Sequence, residues 1–486
     1  MVGIDIGTTN TKVALVDVGR GGADVRAVSS SPTPQPDALA HTLRVLLRRT
    51  ICGGPAPAAV GIASMAETGV PLDTGARPLS GWVRWDRASA AAQADRLATR
   101  LGRAQLVTAT GVRPSAKAPL ATWMWLRENR ADEWARMAHW AGVADLACRL
   151  LSGELVTDHT LAGRTMAYRL PSAADPPPEN FDADLLAEAG LRPEQLPRVA
   201  VPGTVAGRVR DGFADCGLAP GTPVVIAGHD HAVGAYGAGV RAPGQVADSI
   251  GTAEAIISVV AAPPDPVAVA DAGMSSVLTA AGDRRALLAG CASFGAAVKW
   301  WLAHEGAGVR TEELFPALAA RYEQSAGRPS AMLVLPYLSG RQTPRPDPGA
   351  RLRVLGRRDE DGPLEMAYAL LEGLSLHARW MQAEQARLAG LDPSRSAVTV
   401  FGASAVGVPV WPRLKASVLP GPVRVVTTSE PVAASAALLA AVRTGLVDPA
   451  PCLPARDEPA PEGATAEYER AFERFVDAAT RSGVPR

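Results

Sequence analysis

The sequence predicts an α/β protein built from two domains. At 486 residues the chain exceeds what one simple hydrophobic core holds and is long enough for two large domains. Short β-rich segments alternate with segments of helical periodicity, which is typical of helices layered on mixed sheets. A similar strand–turn–strand pattern occurs at residues 2–18 and at residues 244–260, so each half of the chain opens with a hairpin.

The first hairpin, VGIDIGTTNTKVALVDV at 2–18, has the composition of a phosphate-binding turn. Backbone N–H groups and hydroxyls at such a tip form a nest for a phosphate chain. Asp5 lies near the end of the first strand, at the mouth of the turn, where a carboxylate can hold a phosphate-bound Mg²⁺. An ordinary polar hairpin with a buried acid is the alternative, and Lys12 could equally be a solvated strand lysine. The candidate phosphate-binding residues are Thr8, Thr9, Asn10 and Lys12.

The second hairpin, GQVADSIGTAEAIISVV at 244–260, repeats this arrangement. Asp248 lies on its first strand, and Gly251 and Thr252 form its turn. We therefore expect Gly251 and Thr252 to contact phosphate groups as well.

Asp230 is the candidate catalytic base. Residues 224–227 predict a buried strand, and small residues at 231–239 predict a tightly packed helix. Asp230 thus lies near a helix N-terminus at the carboxyl end of a strand, a common place for α/β active sites. Because a helix N-terminus favours the carboxylate form, we expect Asp230 to be ionised and able to accept a hydroxyl proton. A helix-capping Asp without catalytic function is the alternative.

Two histidines flank this acid. His229 and His231 around Asp230 could ligate zinc, but no further ligands lie nearby in the sequence. We favour a neutral His231 that hydrogen-bonds the substrate or orients Asp230.

Composition excludes several classes of partner. The 49 basic and 49 acidic side chains balance, so nothing electrostatic argues for nucleic acid or an anionic membrane. The sequence contains no run of roughly 20 apolar residues and no signal-peptide pattern. Its 5 cysteines form no CxxC or Cys/His metal spacing, which indicates reduced thiols. We expect a cytoplasmic protein without nucleic-acid or membrane partners.

Further motifs occur in order along nearly the whole chain. With the two hairpins they resemble the actin-like, ribonuclease-H-fold ATPases and, among these, the FGGY carbohydrate kinases. The resemblance implies two ribonuclease-H-like domains with a nucleotide and sugar cleft between them. No GxxxxGK[ST] motif is present, so hairpin turns would hold the nucleotide instead. The motifs are AETG at 66–69, PLATWMWLREN at 119–129, GELVTDHTLAGRT at 153–165, AGHDHAVGAYGAGV at 227–240, FGASAVGVPVW at 401–411 and EPVAASAALLAA at 430–441.

The resemblance also implies domains and cofactors. The N-terminal domain, with sugar and phosphate binding, is expected at 1–242 and the nucleotide-binding domain at 243–446. A Pro- and acid-rich tail with a C-terminal helix follows at 447–486. ATP and Mg²⁺ are the expected cofactors, with Asp230 as general base and Asp5 near the metal. The small-residue loop expected to bind adenosine is Gly402, Ala403 and Ser404.

On the sugar side, Ala66 replaces an Arg of the glycerol kinases, which argues against glycerol as substrate. We therefore expect a neutral ketose, polyol or cyclitol. A sugar-acid kinase, similar to gluconate kinases, is the alternative, since Lys117 could pair with a carboxylate. A catalytically inactive sugar sensor of the same fold is another, and a homodimer is an assembly that the resemblance allows. The residues expected to bind substrate are Glu67, Thr68, Asp86, Lys117 and His231.

Overall fold

The computed structural model describes residues 1–51, 53–172, 175–251, 253–292, 294–306 and 308–481. The chain divides into two compact units. Unit 1 comprises Met1–Arg241, Ser275–Ala286 and Glu430–Pro454, and unit 2 comprises Ala242–Met274, Leu287–Ser429 and Ala455–Arg486. This division differs from the predicted continuous domains, because two later segments return to unit 1.

The strands are short, and most belong to one of two large sheets. In chain order they are β1 (Val2–Ile6), β2 (Asn10–Gly19), β3 (Gly22–Pro32), β4 (Val60–Ser64), β5 (Gly69–Leu72), β6 (His139–Gly142), β7 (Val156–Asp158), β8 (Arg198–Ala200), β9 (Gly207–Arg208), β10 (Pro223–His229), β11 (Val246–Ile250), β12 (Ala253–Val259), β13 (Ser275–Leu278), β14 (Arg285–Ala292), β15 (Leu333–Leu335), β16 (Arg353–Leu355), β17 (Val398–Phe401), β18 (Val423–Val426) and β19 (Ala455–Glu458).

The helices range from single turns to the long central helix of unit 2. In chain order they are α1 (Leu39–Ile51), α2 (Ala91–Leu101), α3 (Arg103–Thr110), α4 (Pro119–Asn129), α5 (Ala131–Arg136), α6 (Val143–Ser152), α7 (His159–Ala162), α8 (Ala183–Ala189), α9 (Asp230–Gly237), α10 (Pro266–Asp271), α11 (Phe294–His304), α12 (Thr311–Gln324), α13 (Pro363–Ala389), α14 (Ala403–Gly407), α15 (Val410–Val418), α16 (Pro431–Arg443) and α17 (Ala464–Thr480). Within the described part of the chain, no helix is long and apolar enough to cross a bilayer.

The main sheet of unit 1 has the strand order β3-β2-β1-β4-β10-β9. β1 runs antiparallel to β2 and parallel to β4, which in turn runs parallel to β10. Every residue of β1 is buried, as expected for a strand covered on both faces. Alternate residues such as Ile4 and Ile226 share one core with α1 and α6. The residues on the opposite face of these strands, such as Gly3 and Gly61, lie against α16. Helices therefore cover both faces of this sheet.

Two glycines explain why α16 belongs to unit 1. A Cβ added at Gly3 would lie 1.7 Å from the carbonyl oxygen of Ala433, and one at Gly61 would lie 1.9 Å from that of Ala436. The backbone of α16 therefore rests directly on β1 and β4, where only glycine leaves room. Alanines on the helix allow the same close approach, and the segment 430–454 returns to unit 1 to make this contact.

The main sheet of unit 2 repeats this topology. The strands of this sheet that lie mainly in unit 2 follow the order β14-β12-β11-β17-β18-β19. β11 is antiparallel to β12 and parallel to β17, and β17 is parallel to β18, as in the sheet of unit 1. The helix α13 begins with Pro363 at its first turn, ends at Gly390 in the left-handed conformation and is buried through most of its length. Each unit thus presents one hairpin followed by two parallel strands.

Candidate functional site

The first hairpin places a polar turn at one end of the unit 1 sheet. Gly7 N donates to Asn10 O at 3.0 Å and closes the turn. Thr9 and Asn10 are exposed, as an anion-binding tip requires. The Thr8 hydroxyl is less free, because Trp85 Nε1 donates to its Oγ1 at 3.1 Å. Of the predicted phosphate residues, the structure thus places Thr8, Thr9 and Asn10 together at this tip.

Asp5 is buried beside this turn and lacks a full set of partners. Its Oδ1 atom has no hydrogen-bond partner among the described residues. Burial, followed by the negative charge of Asp230, raises the pKa of Asp5 to about 7, while Lys12 opposes the shift. A buried carboxylate oxygen without a donor, next to a second carboxyl group, is a fitting ligand for a divalent cation.

Asp230 is the first residue of α9 and follows directly after β10. Its Oδ1 accepts a hydrogen bond from His231 N at 2.7 Å and lies 3.2 Å from His229 Nε2. Burial raises the pKa of Asp230, His231 opposes this in part through its backbone N–H, and Glu67 adds to the rise. A helix N-terminus alone would favour the charged form of Asp230. In the structure burial outweighs that effect on the pKa.

Glu67 lies in a strained conformation against an arginine. Its φ of 59° falls in the left-handed region, which is uncommon for a residue other than glycine and is found most often at functional sites. Arg164 donates to Glu67 Oε1 from Nε at 2.9 Å and from Nη2 at 2.7 Å. Their side chains are only 13% and 14% exposed, so this pair is not an ordinary surface ion pair.

Trp85 joins the first hairpin to the segment that contains Glu67. Its backbone N–H donates to Thr68 Oγ1 at 3.1 Å, while its ring N–H reaches Thr8 as described above. Trp85 and Arg164 are residues that the sequence argument missed. Their sequence signal was weak: Trp85 precedes Asp86, and Arg164 is the second-to-last residue of the motif at 153–165.

Lys117 and Asp86 both lie close to this group. Lys117 Nζ is 4.9 Å from the ring centroid of Trp85. Burial lowers the pKa of Lys117, and Glu67 opposes the shift. Asp86 is exposed and accepts 3.0 and 2.8 Å hydrogen bonds from Arg84. A substrate hydroxyl would therefore have to compete with Arg84 for Asp86.

Lys12 is neither solvated nor free. Its Nζ lies 2.5 Å from Glu430 Oε2, and both side chains are largely buried. Glu430 immediately precedes α16, so this ion pair ties the first hairpin to that helix.

The two histidines and the acid between them do come together in space. One ligand atom from each of His229, Asp230 and His231 lies within 4.8 Å of the others. Burial holds the pKa of His229 well below its ordinary value, so its ring is neutral near pH 7. Among the described residues no fourth His, Cys, Asp or Glu joins this group.

In unit 2 the acid of the second hairpin is neutralised. Lys415 Nζ lies 2.5 Å from Asp248 Oδ2 and 2.5 Å from Glu254 Oε1, and all three side chains are buried. Burial lowers the pKa of Lys415, but the two carboxylates outweigh it and raise the pKa above its ordinary value. Asp248 is therefore committed to an ion pair, unlike Asp5, although the two hairpins look alike in sequence.

The predicted nucleotide residues of unit 2 lie at the end of this second hairpin. Gly251 N donates to Ala253 O at 3.1 Å and closes the turn, while Thr252 lies outside the described residues. Gly402 has a φ of +118°, and an added Cβ would lie 2.3 Å from Ile250 O. The loop of Gly402, Ala403 and Ser404 therefore packs against the last residue of β11.

Comparison with known proteins identifies two matching domains. Residues 1–237 match the family model for the N-terminal domain of the FGGY family of carbohydrate kinases, and residues 246–444 match the model for its C-terminal domain. The xylulose kinase of Streptomyces rubiginosus is 32% identical over 53% of this chain and 54% of its own length. The gluconokinase of Bacillus subtilis (strain 168) is 23% identical over 77% of this chain and 74% of its own.

Solved structures match along nearly the whole chain. The gluconate kinase from Lactobacillus acidophilus has a TM-score of 0.83 at 20% identity, covering 99% of this chain and 97% of that one. This match confirms the predicted α/β fold of two ribonuclease-H-like domains. The sequence alignment, in contrast, spans only about half the length of the Streptomyces relative.

Proposed function

Because the chain belongs to the FGGY family of carbohydrate kinases, we propose that it transfers the γ-phosphoryl group of ATP to a hydroxyl group of a small carbohydrate. The observation that carries this proposal is the buried carboxyl pair of Asp5 and Asp230 beside a phosphate-type turn. Carboxyl groups with raised pKa values cluster at catalytic sites, whereas a protein that only binds its ligand gains nothing from two buried acids that repel each other.

Asp230 is the proposed general base. Its carboxylate would accept the proton of the attacking hydroxyl as the phosphoryl group transfers in line. Burial makes it a stronger proton acceptor than an exposed Asp, while the hydrogen bond from His231 N favours its charged form. Both effects suit a base that must be ionised near pH 7 and still bind a proton.

Asp5 is the proposed ligand of a nucleotide-bound Mg²⁺, and the absence of a donor at its buried Oδ1 supports this. The ion would neutralise charge on the phosphates during transfer. Thr9 and Asn10 are exposed at the turn and would donate to phosphate oxygens. Gly251 and the loop of residues 402–404 are proposed to contact ATP.

Glu67, Thr68 and Lys117 are the proposed sugar contacts. Arg164 fixes Glu67 Oε1, which leaves Oε2 to accept from a sugar hydroxyl. We propose a neutral ketose, polyol or cyclitol as substrate, because carboxylates are the acceptors that neutral hydroxyls need. A sugar acid is the second candidate, and the specific observation in its favour is the half-buried cation of Lys117 near the guanidinium of Arg164.

A screen for sugar-dependent ADP release across ketoses, polyols and aldonic acids tests the proposal. We expect turnover with at least one of these classes and none with the nucleotide alone. Sugar binding without ADP release, under conditions where Mg²⁺ and ATP are saturating, would instead identify an inactive sensor. The expected homodimer and cytoplasmic location remain predictions, and size-exclusion chromatography with light scattering would measure the first.

A further inference from the structure

The strand that delivers Asp230 contains a β-bulge. β10 pairs with β4 through Ile226 opposite Ile62, then resumes with Gly228 opposite Ala63, so Ala227 is an extra residue. Bulges bend a strand and re-aim the residues that follow, and they are frequent next to active sites. Because the bulge lies just before Asp230, its exact shape sets the direction of the catalytic carboxylate.

Two side chains hold the backbone on either side of the bulge. Arg443 Nη1 donates to Ile226 O at 2.5 Å before the bulge. After the bulge, His229 N donates to Thr160 Oγ1 at 2.8 Å. Both backbone groups are buried, and each needs a partner because the bulge interrupts the regular ladder.

Asp158 joins these two side chains. Thr160 Oγ1 donates to Asp158 Oδ1 at 2.6 Å, and Arg443 Nη1 lies 3.0 Å from Asp158 Oδ2. We call Asp158, Thr160 and Arg443 the bulge clamp. All three are at least nine-tenths buried. A hydroxyl donates one proton and accepts through its lone pairs, so Thr160 alone can satisfy both Asp158 and His229 N.

Gly228 shows how closely the bulge clamp fits. Its φ is +128°, and an added Cβ would lie 2.3 Å from Thr160 Oγ1 and 2.6 Å from Asp158 Oδ1. The bulge clamp therefore packs directly against the bulged backbone, where only glycine fits.

The charge on the bulge clamp is balanced. Burial raises the pKa of Asp158, but His159 and Arg443 outweigh it, and the pKa lies below its ordinary value. The carboxylate is thus ionised and faces the guanidinium of Arg443. Since a buried ion pair is costly when one partner is removed, neutralising Asp158 or Arg443 would test stability more than position.

We propose that Thr160, held by Asp158 and Arg443, is a positioning residue that aims Asp230 through the His229 amide. This inference rests on the proposed function of Asp230 as general base. Residues 156–160 would thus affect catalysis through the position of Asp230, without contacting the substrate themselves.

Thr160→Val tests the bulge clamp because valine keeps the shape of threonine and removes both hydrogen bonds. We expect kcat to fall about 10- to 100-fold, with KM for sugar and for ATP within about 3-fold of wild type, since small misplacement of a catalytic group has effects of this order. Thr160→Ser, which restores the hydroxyl, should recover most of kcat. The matched control is Thr50→Val, because Thr50 is a buried threonine of the same unit whose hydroxyl donates to Leu46 O at 2.8 Å and to Val13 O at 3.4 Å. That control should keep wild-type kcat.

A wild-type kcat in folded Thr160→Val would overturn the proposal, as would failure of Thr160→Ser to recover activity. If Thr160→Val does not fold, hydrogen exchange of the His229 amide in the wild-type protein decides instead. We expect strong protection, and rapid exchange would contradict the bulge clamp. The test remains separate from the proposed function, because Asp230→Asn retaining full activity would refute the base itself, whatever Thr160→Val does.

Discussion

The carboxyl group of Asp5 is buried and that of Asp230 is largely buried in the same unit, and burial raises the pKa of both. The two carboxylates differ in their hydrogen-bond partners. The backbone N–H of His231 supports the charge of Asp230, whereas Asp5 has an oxygen without a donor. We infer that Asp230 is ready for proton transfer before substrate binds, while Asp5 is completed by a cation.

Replacing Asp230 by asparagine should abolish most turnover without unfolding the protein. We expect kcat to fall about 10²- to 10⁴-fold, as is usual for loss of a general base, with ATP affinity retained. The matched control is Asp182→Asn, because Asp182 caps the N-terminus of α8 in the same unit and accepts from Leu185 N at 2.8 Å. Similar kcat values for the two variants would reduce Asp230 to a capping residue.

Lys117→Met decides between neutral and acidic substrates. If the substrate is neutral, kcat/KM for a polyol should change less than about 10-fold, and the matching aldonic acid should remain a poor substrate. The exposed Lys299 on α11 provides the control, Lys299→Met, which should leave both values unchanged. Turnover of the acid alone, lost in Lys117→Met, would show that a sugar acid is the substrate.

The sequence identified the acids of the site better than their partners. Asp5 and Asp230 each stand at the end of a recognisable strand, so their position follows from local pattern. Arg164 could not be placed, because it is 97 residues from Glu67 and only the tertiary fold brings them together. The pairing of Asp248 with Lys415 across 167 residues was hidden for the same reason.

At the scale of elements, the hairpins and α16 show what local pattern can and cannot predict. The motif at 430–441 falls almost entirely on α16, which spans Pro431–Arg443. Its location on the unit 1 sheet did not follow, because the contact depends on Gly3 and Gly61, which carry no side chain to form a pattern. Glycine in a strand signals close approach, but it does not identify the approaching element.

Gly61→Ala should destabilise unit 1 strongly. The new methyl group would lie 1.9 Å from Ala436 O, so α16 or β4 must shift. We expect the free energy of unfolding to fall by about 3 kcal/mol or more. Thermal or urea unfolding measures the change. Gly19→Ala is the control, since nothing lies within 4 Å of an added Cβ there. Equal midpoints for the two variants would mean that α16 does not rest on this strand.

At the scale of the whole molecule, buried carboxyl groups outside the site set the pH dependence of stability. Burial raises the pKa of Asp145 in unit 1 and of Glu372 in unit 2 to about 7 each. Asp145 Oδ1 has no hydrogen-bond partner among the described residues. Hydrogen bonds from Ser330 and Tyr468 to Glu372 oppose the shift without reversing it.

These raised pKa values predict that the protein loses stability as pH rises from about 5 to 7. In the folded state Asp145 and Glu372 keep the protons that they release near pH 4 in the unfolded chain. Their contribution to the free energy of unfolding is therefore complete below about pH 4 and is lost as pH rises through the folded pKa. Each group contributes at most about 1.4 kcal/mol per pH unit. Tm measured from pH 5 to 8 should therefore fall.

Asp145→Asn should make this decline in Tm shallower, because the amide does not titrate. Asp457→Asn, at an exposed side chain in unit 2, is the control and should leave the slope unchanged. A Tm that is flat or rises between pH 5 and 7 would contradict the assignment of neutral buried acids.

The return of α16 to unit 1 has a consequence for biosynthesis. The first 241 residues leave the ribosome long before the segment 430–454 that completes their sheet. At a translation rate of about 5–20 residues per second, one face of β1 and β4 stays uncovered for on the order of ten to forty seconds. During that interval the nascent N-terminal segment exposes a flat strip of glycine and apolar residues, which is the kind of surface that chaperones bind. We therefore expect residues 1–241 alone to fold incompletely, although residues 1–237 match a complete N-terminal domain in sequence.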